Sequence, residues 1–467
     1  MNKIVLYAIV AAMSLQACNK KTERVEETKE ATMQVSKPEV KKEGYLGSKM
    51  PYEPRQEVVD YSPIPENFEP IFINHVARHG SRHLTSAKYD VAWGEMLQFA
   101  SEKDMLTDKG KQLKNDIEVF LSIEKGNYGQ ISELGKKEHQ DMAKRLVDQY
   151  GDLLASVSSD KKIVAKSTFK DRAVNSKKAF MGILEETFSS VNDSTVDYIV
   201  YEENKDPELR FFEPNEAFEA FEKAEYWAEG LDSLKNLDNA KHLTNQIIDP
   251  LFKSEFVSGL EQGEYAFKGQ KGKVRIKDKS SAAQALYKLY QIIDGIGAKE
   301  QVDLQKYLPE EALVWNEFLG DYESFFLEGP SYDSIDLTYT MAMPLLDSFL
   351  VTSQRAIELK NQTAEFRFAH AETMVPFLAL LGVKGTCESS NEYKLEDKNR
   401  WKASNVSPMG TNIQWIFFKD KSDGQIWLKM LYNEAETELP VVTNRYPFYR
   451  WENVKAHYEK VLNKEVM

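Results

Sequence analysis

Cysteine is nearly absent: 467 residues hold two, Cys18 and Cys387. No second cysteine and no histidine cluster gives Cys387 metal-ligand or redox spacing, so it reads as a free thiol. No apolar run reaches the ~20 residues needed to span a bilayer. Basic charge is in deficit, with Lys+Arg 60 against Asp+Glu 74 and a formal net charge of -14. That balance excludes broad nucleic-acid binding, which requires a broad basic face, and no nucleic-acid partner is expected. A small anionic substrate stays compatible, because a pocket's local field can oppose the net charge. A zinc-type histidine pair, an Asp-rich metal loop and a Walker glycine loop are all missing, so no metal or cofactor is expected. What is present is an ordinary globular composition, 42% hydrophobic and 29% charged, in a chain long enough for two domains or one with a large insertion.

The N-terminal segment carries one early positive charge, Lys3, then a short apolar run and small residues up to Cys18, the layout of a signal peptide over residues 1–18. Leu15-Gln16-Ala17-Cys18 resembles the bacterial lipobox, which implies that Cys18 is lipidated and anchors the chain to a membrane. The alternative is a plain secretory signal with an incidental cysteine. The expected location is the cell envelope, as a periplasmic or outer-membrane or cell-surface lipoprotein; Lys20-Lys21 favours the outer membrane by likeness to lipoprotein sorting rules. Residues 19–50 begin as a Lys/Glu-rich stretch poor in large apolar side chains, expected as a disordered tether.

The first clear strand signal is Ile71-Phe72-Ile73-Asn74-His75-Val76, running directly into Arg78-His79-Gly80-Ser81-Arg82. Helical spacing follows over 133–150, a second strand is expected at 163–167, and a helix over 172–187. Residues 412–418 and 426–432 read as neighbouring strands across the turn Lys421-Ser422-Asp423-Gly424. Strands at both ends with helical patterns between them give an α/β core over 51–202 and 346–467, a sheet flanked by helices. A large inserted all-helical cap is expected over 203–345, with helical spacing at 215–236, 239–259, 281–296 and 303–327. One stretch of the cap stands apart: Lys268, Lys271, Lys273, Arg275, Lys277 and Lys279 crowd around Gly269 and Gly272. It is either a solvated loop or a rim that attracts polyphosphate.

Chemistry concentrates at the end of the first strand, at the carboxyl edge where α/β sheets place ligands. Two arginines flank one histidine within five residues. Each planar guanidinium can pair two phosphate oxygens at once and stays charged. Gly80 permits a close backbone approach that a Cβ would hinder. An imidazole between two such forks can attack phosphorus in line while the forks hold the equatorial oxygens.

The motif resembles that of the histidine phosphatase superfamily, in its acid phosphatase and phytase branch. The phosphoglycerate mutase branch usually has an acidic residue where this chain has Ser81. Ser167-Thr168-Phe169-Lys170-Asp171-Arg172, followed by Ser176, resembles the segment supplying a third phosphate-binding arginine, which maps onto Arg172. Phe368-Ala369-His370-Ala371-Glu372-Thr373 resembles the second catalytic segment. Its His-Ala-Glu form, in place of the commoner His-Asp, is that of the multiple inositol polyphosphate phosphatases, and Ser407-Pro408-Met409 is similar as well. The resemblance implies a nucleophile at His79, an acid at Glu372, and phosphate ligands at Arg78, Arg82, Arg172 and His370. It implies hydrolysis of inositol polyphosphates such as phytate through a phosphohistidine, without a metal. The alternatives are a broad histidine acid phosphatase acting on sugar phosphates or other phosphomonoesters, and a catalytically inactive lipoprotein that binds phosphate esters. His83 and Lys88 are candidates for further phosphate contacts or for a solvated loop beside the site.

Overall fold

The computed structural model describes residues 44–464, without the side chains of Glu225 and Tyr226. Cys18, the signal segment and the tether up to residue 43 lie outside the described residues.

In chain order the strands are β1 (Phe68–Arg78), β2 (Lys162–Ser167), β3 (Val196–Val200), a short pair β4 (Phe267–Lys268) and β5 (Val274–Ile276), then β6 (Gln362–Ala369), β7 (Asn412–Asp420), β8 (Ile426–Tyr432), β9 (Ala435–Glu436) and β10 (Phe448–Arg450). The helices before the cap are α1 (Tyr89–Glu102), α2 (Asp108–Glu124), α3 (Glu133–Ala155) and α4 (Asp171–Thr187). Those that follow are α5 (Glu216–Glu222), α6 (Glu225–Lys235), α7 (Asp238–Ile248), α8 (Ser254–Glu261), α9 (Lys279–Tyr290) and α10 (Glu310–Leu327). The chain closes with α11 (Leu337–Thr340), α12 (Met343–Leu359), α13 (Ala371–Leu380), α14 (Ala403–Val406) and α15 (Trp451–Leu462).

The main sheet runs β10-β8-β7-β1-β6-β2-β3, with β9 beside β8. Strands β1, β6, β2 and β3 are parallel, and β7 joins β1 antiparallel. β1 is buried along both faces from Phe72 to Arg78, as a central parallel strand must be. Its side chains alternate between two apolar layers. Ile73 and Ala77 join Phe366, Phe368, Met142 and Phe180 against α3 and α4, while Phe72 and Val76 join Trp415, Phe417 and Phe349 against α12, α13 and α15. Each large apolar side chain so buried contributes roughly 1.5–3 kcal/mol. The result is the expected α/β sheet flanked by helices.

Register matters for function here. β6 pairs with both β1 and β2, so the carboxyl ends of three adjacent parallel strands open at one edge. A buried ion cluster fixes that arrangement from below. The fully buried Arg367 on β6 binds Glu208, Glu365 and Asn74, and Lys166 on β2 reaches Glu365 at 2.7 Å and Glu208 at 3.1 Å. Removing the guanidinium leaves two carboxylates buried with one lysine between them. Arg367→Ala should therefore lower unfolding free energy by about 3–5 kcal/mol, read from denaturant titration.

Three features differ from the sequence reading. The expected tether reached residue 50, yet residues 44–50 are seated against the cap: Tyr290 Oη donates to Gly44 O (2.6 Å), Tyr287 Oη to Tyr45 O (2.9 Å), and Gly47 N to Glu317 Oε1 (3.1 Å). The change of character is visible at Tyr45-Leu46, where large apolar side chains return. Within the stretch read as core, α1 packs on α9 and the β4–β5 pair of the insertion, and α2 packs on α1. And the cap is not all-helical. β4 and β5 form a hairpin whose turn uses positive φ at Lys271 (65°) and Gly272 (69°). Strands of two and three residues are too short for period-2 alternation to register against helical neighbours.

Candidate active site

The end of β1 is held in place by its backbone before any side chain acts. Arg78 N donates to Thr411 O (2.7 Å), His79 N to Ala369 O (2.9 Å), and Gly410 N to His79 O (3.1 Å). The Ser407-Pro408-Met409 segment thus closes over the loop from the β7 side. On the other side α3 comes so close that a Cβ on Gly80 would lie 2.4 Å from Gly135 O, and one on Gly135 would lie 2.1 Å from Ser81 O. Both positions require glycine. Ser132 caps α3 by accepting from Gly135 N at 3.1 Å and donates to Ser81 O at 3.0 Å. Glu138, one turn further along, accepts from Ser81 N and Ser81 Oγ, both at 2.7 Å, and from Tyr52 N at 2.9 Å. Ser81 therefore has a structural partner where the mutase branch has its acidic residue.

Six of the predicted residues converge on this edge. Arg78 ends β1 and His79 follows it; Arg172 lies in the first turn of α4, after β2; His370 caps α13, after β6, and Glu372 is in that helix's first turn. Arg82 comes from the loop after β1. Arg78, His79 and His370 are 1%, 3% and 1% exposed, so their ionisation is set by neighbours and not by bulk water. The rings of His79 and His370 lie edge to face, centroids 5.5 Å apart.

Hydrogen bonding assigns the His79 tautomer. Its Nδ1 lies 2.9 Å from Gly80 O, and a carbonyl can only accept, so the proton is on Nδ1 and Nε2 keeps its lone pair. Burial, then the facing Arg172, Arg78, Arg82 and His370, hold the imidazole well below its ordinary pKa. The same surroundings favour its neutral form. His370 is held neutral by burial and by Arg172, Arg210, Arg78 and Arg82, and its Nε2 contacts Thr168 Oγ1 at 2.9 Å.

Burial, then repulsion from Arg172, lowers Arg78 to about 10, and burial, then repulsion from Arg172 and Arg78, lowers Arg82 to about 9. Arg78 Nη1 is anchored to Ser48 O (2.7 Å) and Ser407 O, and Arg82 Nη1 to His83 O (2.7 Å). Yet Nε of Arg78, Arg82 and Arg172, and Nδ1 of His370, are buried without a hydrogen-bond partner. Buried donors are normally satisfied, so donors orphaned around one spot mark the place of an anion.

The outer candidates separate. His83 Nδ1 is tied to Glu124 Oε1 at 2.9 Å. Lys88 lines a cavity of about 220 Å³ that continues outward from Arg82 and is also lined by Lys49 and Lys288. That cavity has acidic walls too, Glu317, Asp321 and Glu323; Asp321 is pushed up to about 8 by burial and by Glu317. The basic cluster divides in the same way. Lys279 is buried and neutralised by Asp249 (3.3 Å) and Glu261 (2.8 Å). Gly269 seats the hairpin on the Lys88 backbone, where a Cβ would meet Lys88 O at 2.5 Å, and Lys273 and Arg275 lower the Lys88 pKa after burial does.

Lys49, Lys288, Glu138 and Glu328 escaped the sequence reading. Lys49 is held well below its usual pKa by burial and by Arg78, Arg82 and Lys288. Its only sequence signal was its place just past Tyr45-Leu46.

The sequence pattern of the histidine phosphatase superfamily (branch 2) matches residues 71–433. Multiple inositol polyphosphate phosphatase 1 of Homo sapiens is 23% identical over 158 residues, which span 31% of this chain and only 31% of that protein. The Bifidobacterium longum multiple inositol polyphosphate phosphatase, solved in complex with inositol hexasulfate, superposes with a TM-score of 0.77 at 23% identity, covering 90% of this chain and 97% of that one. It has also been solved with phosphate. The phytase of D. castellii superposes with a TM-score of 0.63 at 11% identity, over 90% of this chain and 84% of that one. At these identities the superpositions speak for the fold.

Proposed function

The chain belongs to the histidine phosphatase superfamily (branch 2), a phosphatase by family, and from that premise we propose that it hydrolyses inositol polyphosphates through a phosphohistidine on His79. The observation that carries the chemistry is the lone pair on His79 Nε2, left free by the Nδ1 bond to Gly80 O, amid guanidinium groups whose Nε donors lack partners.

In this reading Arg78, Arg82, Arg172 and His370 bind the scissile phosphate. The Thr168 hydroxyl donates to His370 Nε2, leaving the proton on Nδ1 as the ring's free donor. His79 Nε2 forms the bond to phosphorus as the ester P–O bond breaks, and Glu372 gives its proton to the departing alcohol oxygen. Water then gives a proton to the Glu372 carboxylate and attacks phosphorus. The P–N bond breaks and His79 regains its lone pair. The guanidinium groups stabilise charge on the equatorial oxygens in both steps.

Substrate choice rests on the outer cavity. An inositol ring bearing several phosphates places anions beyond the scissile one, and Lys49, Lys88 and Lys288 line the space leading away from Arg82. The B. longum neighbour, crystallised with inositol hexasulfate, supports the same substrate class. Envelope placement rests on the Leu15–Cys18 segment alone.

The test compares kcat/KM for phytate with that for glucose phosphate. Phytate should be strongly preferred, and the Lys88→Ala, Lys288→Ala double variant should lose about 10–100-fold on phytate, the worth of a charge-assisted contact. On glucose phosphate it should lose under about threefold, since no distal anion is present. Equal losses on both, or no preference for phytate, would favour a broad acid phosphatase instead.

A further inference from the structure

Glu372 faces a second cavity and shares it with a carboxylate from a different part of the chain. Glu328 caps the C-terminus of α10, in the inserted cap, whereas Glu372 rises from α13 in the core. The two line the same cavity together with Phe212, Phe218 and Met341 and three further carboxylates, Glu213 paired with Arg210, Glu219 paired with Lys223, and Glu222. Two carboxylates facing one cavity that holds three further glutamates repel each other, which makes it costly for both to ionise.

We propose that Glu328 is a proton-positioning residue acting through Glu372, the pair holding one proton between them that passes to Glu372 once substrate is bound. The proposal rests on the reading of Glu372 as general acid. The charged groups facing Glu328 are Glu372 and Glu323 on one side and Lys49 and Arg78 on the other. Burial, then Glu372 and Glu323, push the Glu328 carboxyl up. Glu372 is drawn down by its own backbone N–H and by Arg172, Arg78 and Lys49, against a desolvation that pushes it up. In the free site the shared proton therefore resides on Glu328 and Glu372 is ionised.

A bound phosphate changes the balance. Its negative charge offsets Arg78 and Arg172, the cations that keep Glu372 ionised, while the repulsion between the two carboxylates is untouched. The proton then moves from Glu328 to Glu372, Glu328 becomes the carboxylate, and Glu372 can protonate the leaving oxygen. A like-charged partner so keeps an acid available to higher pH than a lone glutamate in a cationic cradle would reach.

The sign of the test follows. Glu328→Gln removes the carboxylate whose repulsion holds the proton on Glu372 in the complex, so Glu372 loses its proton at lower pH. The alkaline limb of kcat/KM for an inositol phosphate should move down by about one pH unit or more, a loss of about tenfold on the alkaline side. Glu328→Asp should restore most of the limb. With p-nitrophenyl phosphate, whose leaving group needs no proton, the limb should stay in place. Coincident limbs for E328Q and the unaltered enzyme overturn the proposal, provided Glu372→Gln still discriminates between the two esters. If Glu372→Gln loses equally on both, the acid reading itself has failed. Should E328Q not fold, Glu328→Met, which keeps the length without the charge, takes its place, and a limb coincident with that of the unaltered enzyme overturns the proposal.

Discussion

Replacing His79 with alanine should lower kcat on any phosphomonoester by about 10⁴-fold or more, the scale of losing a covalent nucleophile. Phosphate affinity should fall far less. Arg78 is fastened to Ser48 O and Ser407 O and Arg82 to His83 O, so neither depends on the imidazole for its position. Rapid acid-free quenching of the unaltered enzyme should trap an acid-labile, base-stable phosphoenzyme, and the variant should show none. A trapped species stable to acid, or residual turnover near the original rate, removes His79 from the chemistry. The pH behaviour offers a second check. Because burial and the arginines hold His79 well below its ordinary pKa, the imidazole is neutral above that depressed value. Activity should then persist well below pH 6.5, where an unperturbed histidine would already be protonated.

The residue proposed as nucleophile stands out in the sequence because its motif is contiguous. Arg78-His79-Gly80-Ser81-Arg82 follows a strand with no intervening turn, and both His370 and Arg172 follow strands in the same way. Strand, loop and catalytic side chain are written in one run, and parallel pairing of β1, β6 and β2 brings the three runs together. Residues that act at the site from elsewhere had no such signal. Glu138 is an ordinary acidic residue on an amphipathic helix until Gly80 and Gly135 bring α3 against the loop. Glu328 comes from the cap, some forty residues of chain before the helix that carries its partner, and only the cap-to-core interface puts them in one cavity. Lys49 was assigned to a tether on charge composition, yet four hydrogen-bonded residues before it fix its backbone to α9 and α10. The packing of α1 was hidden for a similar reason: α1 and α2 have the amphipathic spacing of core helices, and nothing local says which apolar surface they cover.

Glu372→Gln is the second large effect, and it separates two roles that one residue holds in succession. For an inositol phosphate the leaving alkoxide is poor, and loss of the proton donor should cut kcat/KM by about 10²–10⁴-fold. For p-nitrophenyl phosphate kcat/KM should change little, because that parameter reports steps up to alcohol release and the phenolate leaves unaided. Its kcat should nevertheless fall, since the second step also draws on Glu372, now to take a proton from water. The variant should therefore give a burst of p-nitrophenol close to one equivalent, followed by a slow steady state in which phosphohistidine accumulates. The unaltered enzyme should show no such excess. Glutamine keeps the side chain's size in a half-buried position between Arg172 and Glu328, so the difference reflects the proton and not a collapse of the cavity. A uniform loss on both esters without a burst would mean that Glu372 orients the phosphate and that the proton comes from solvent.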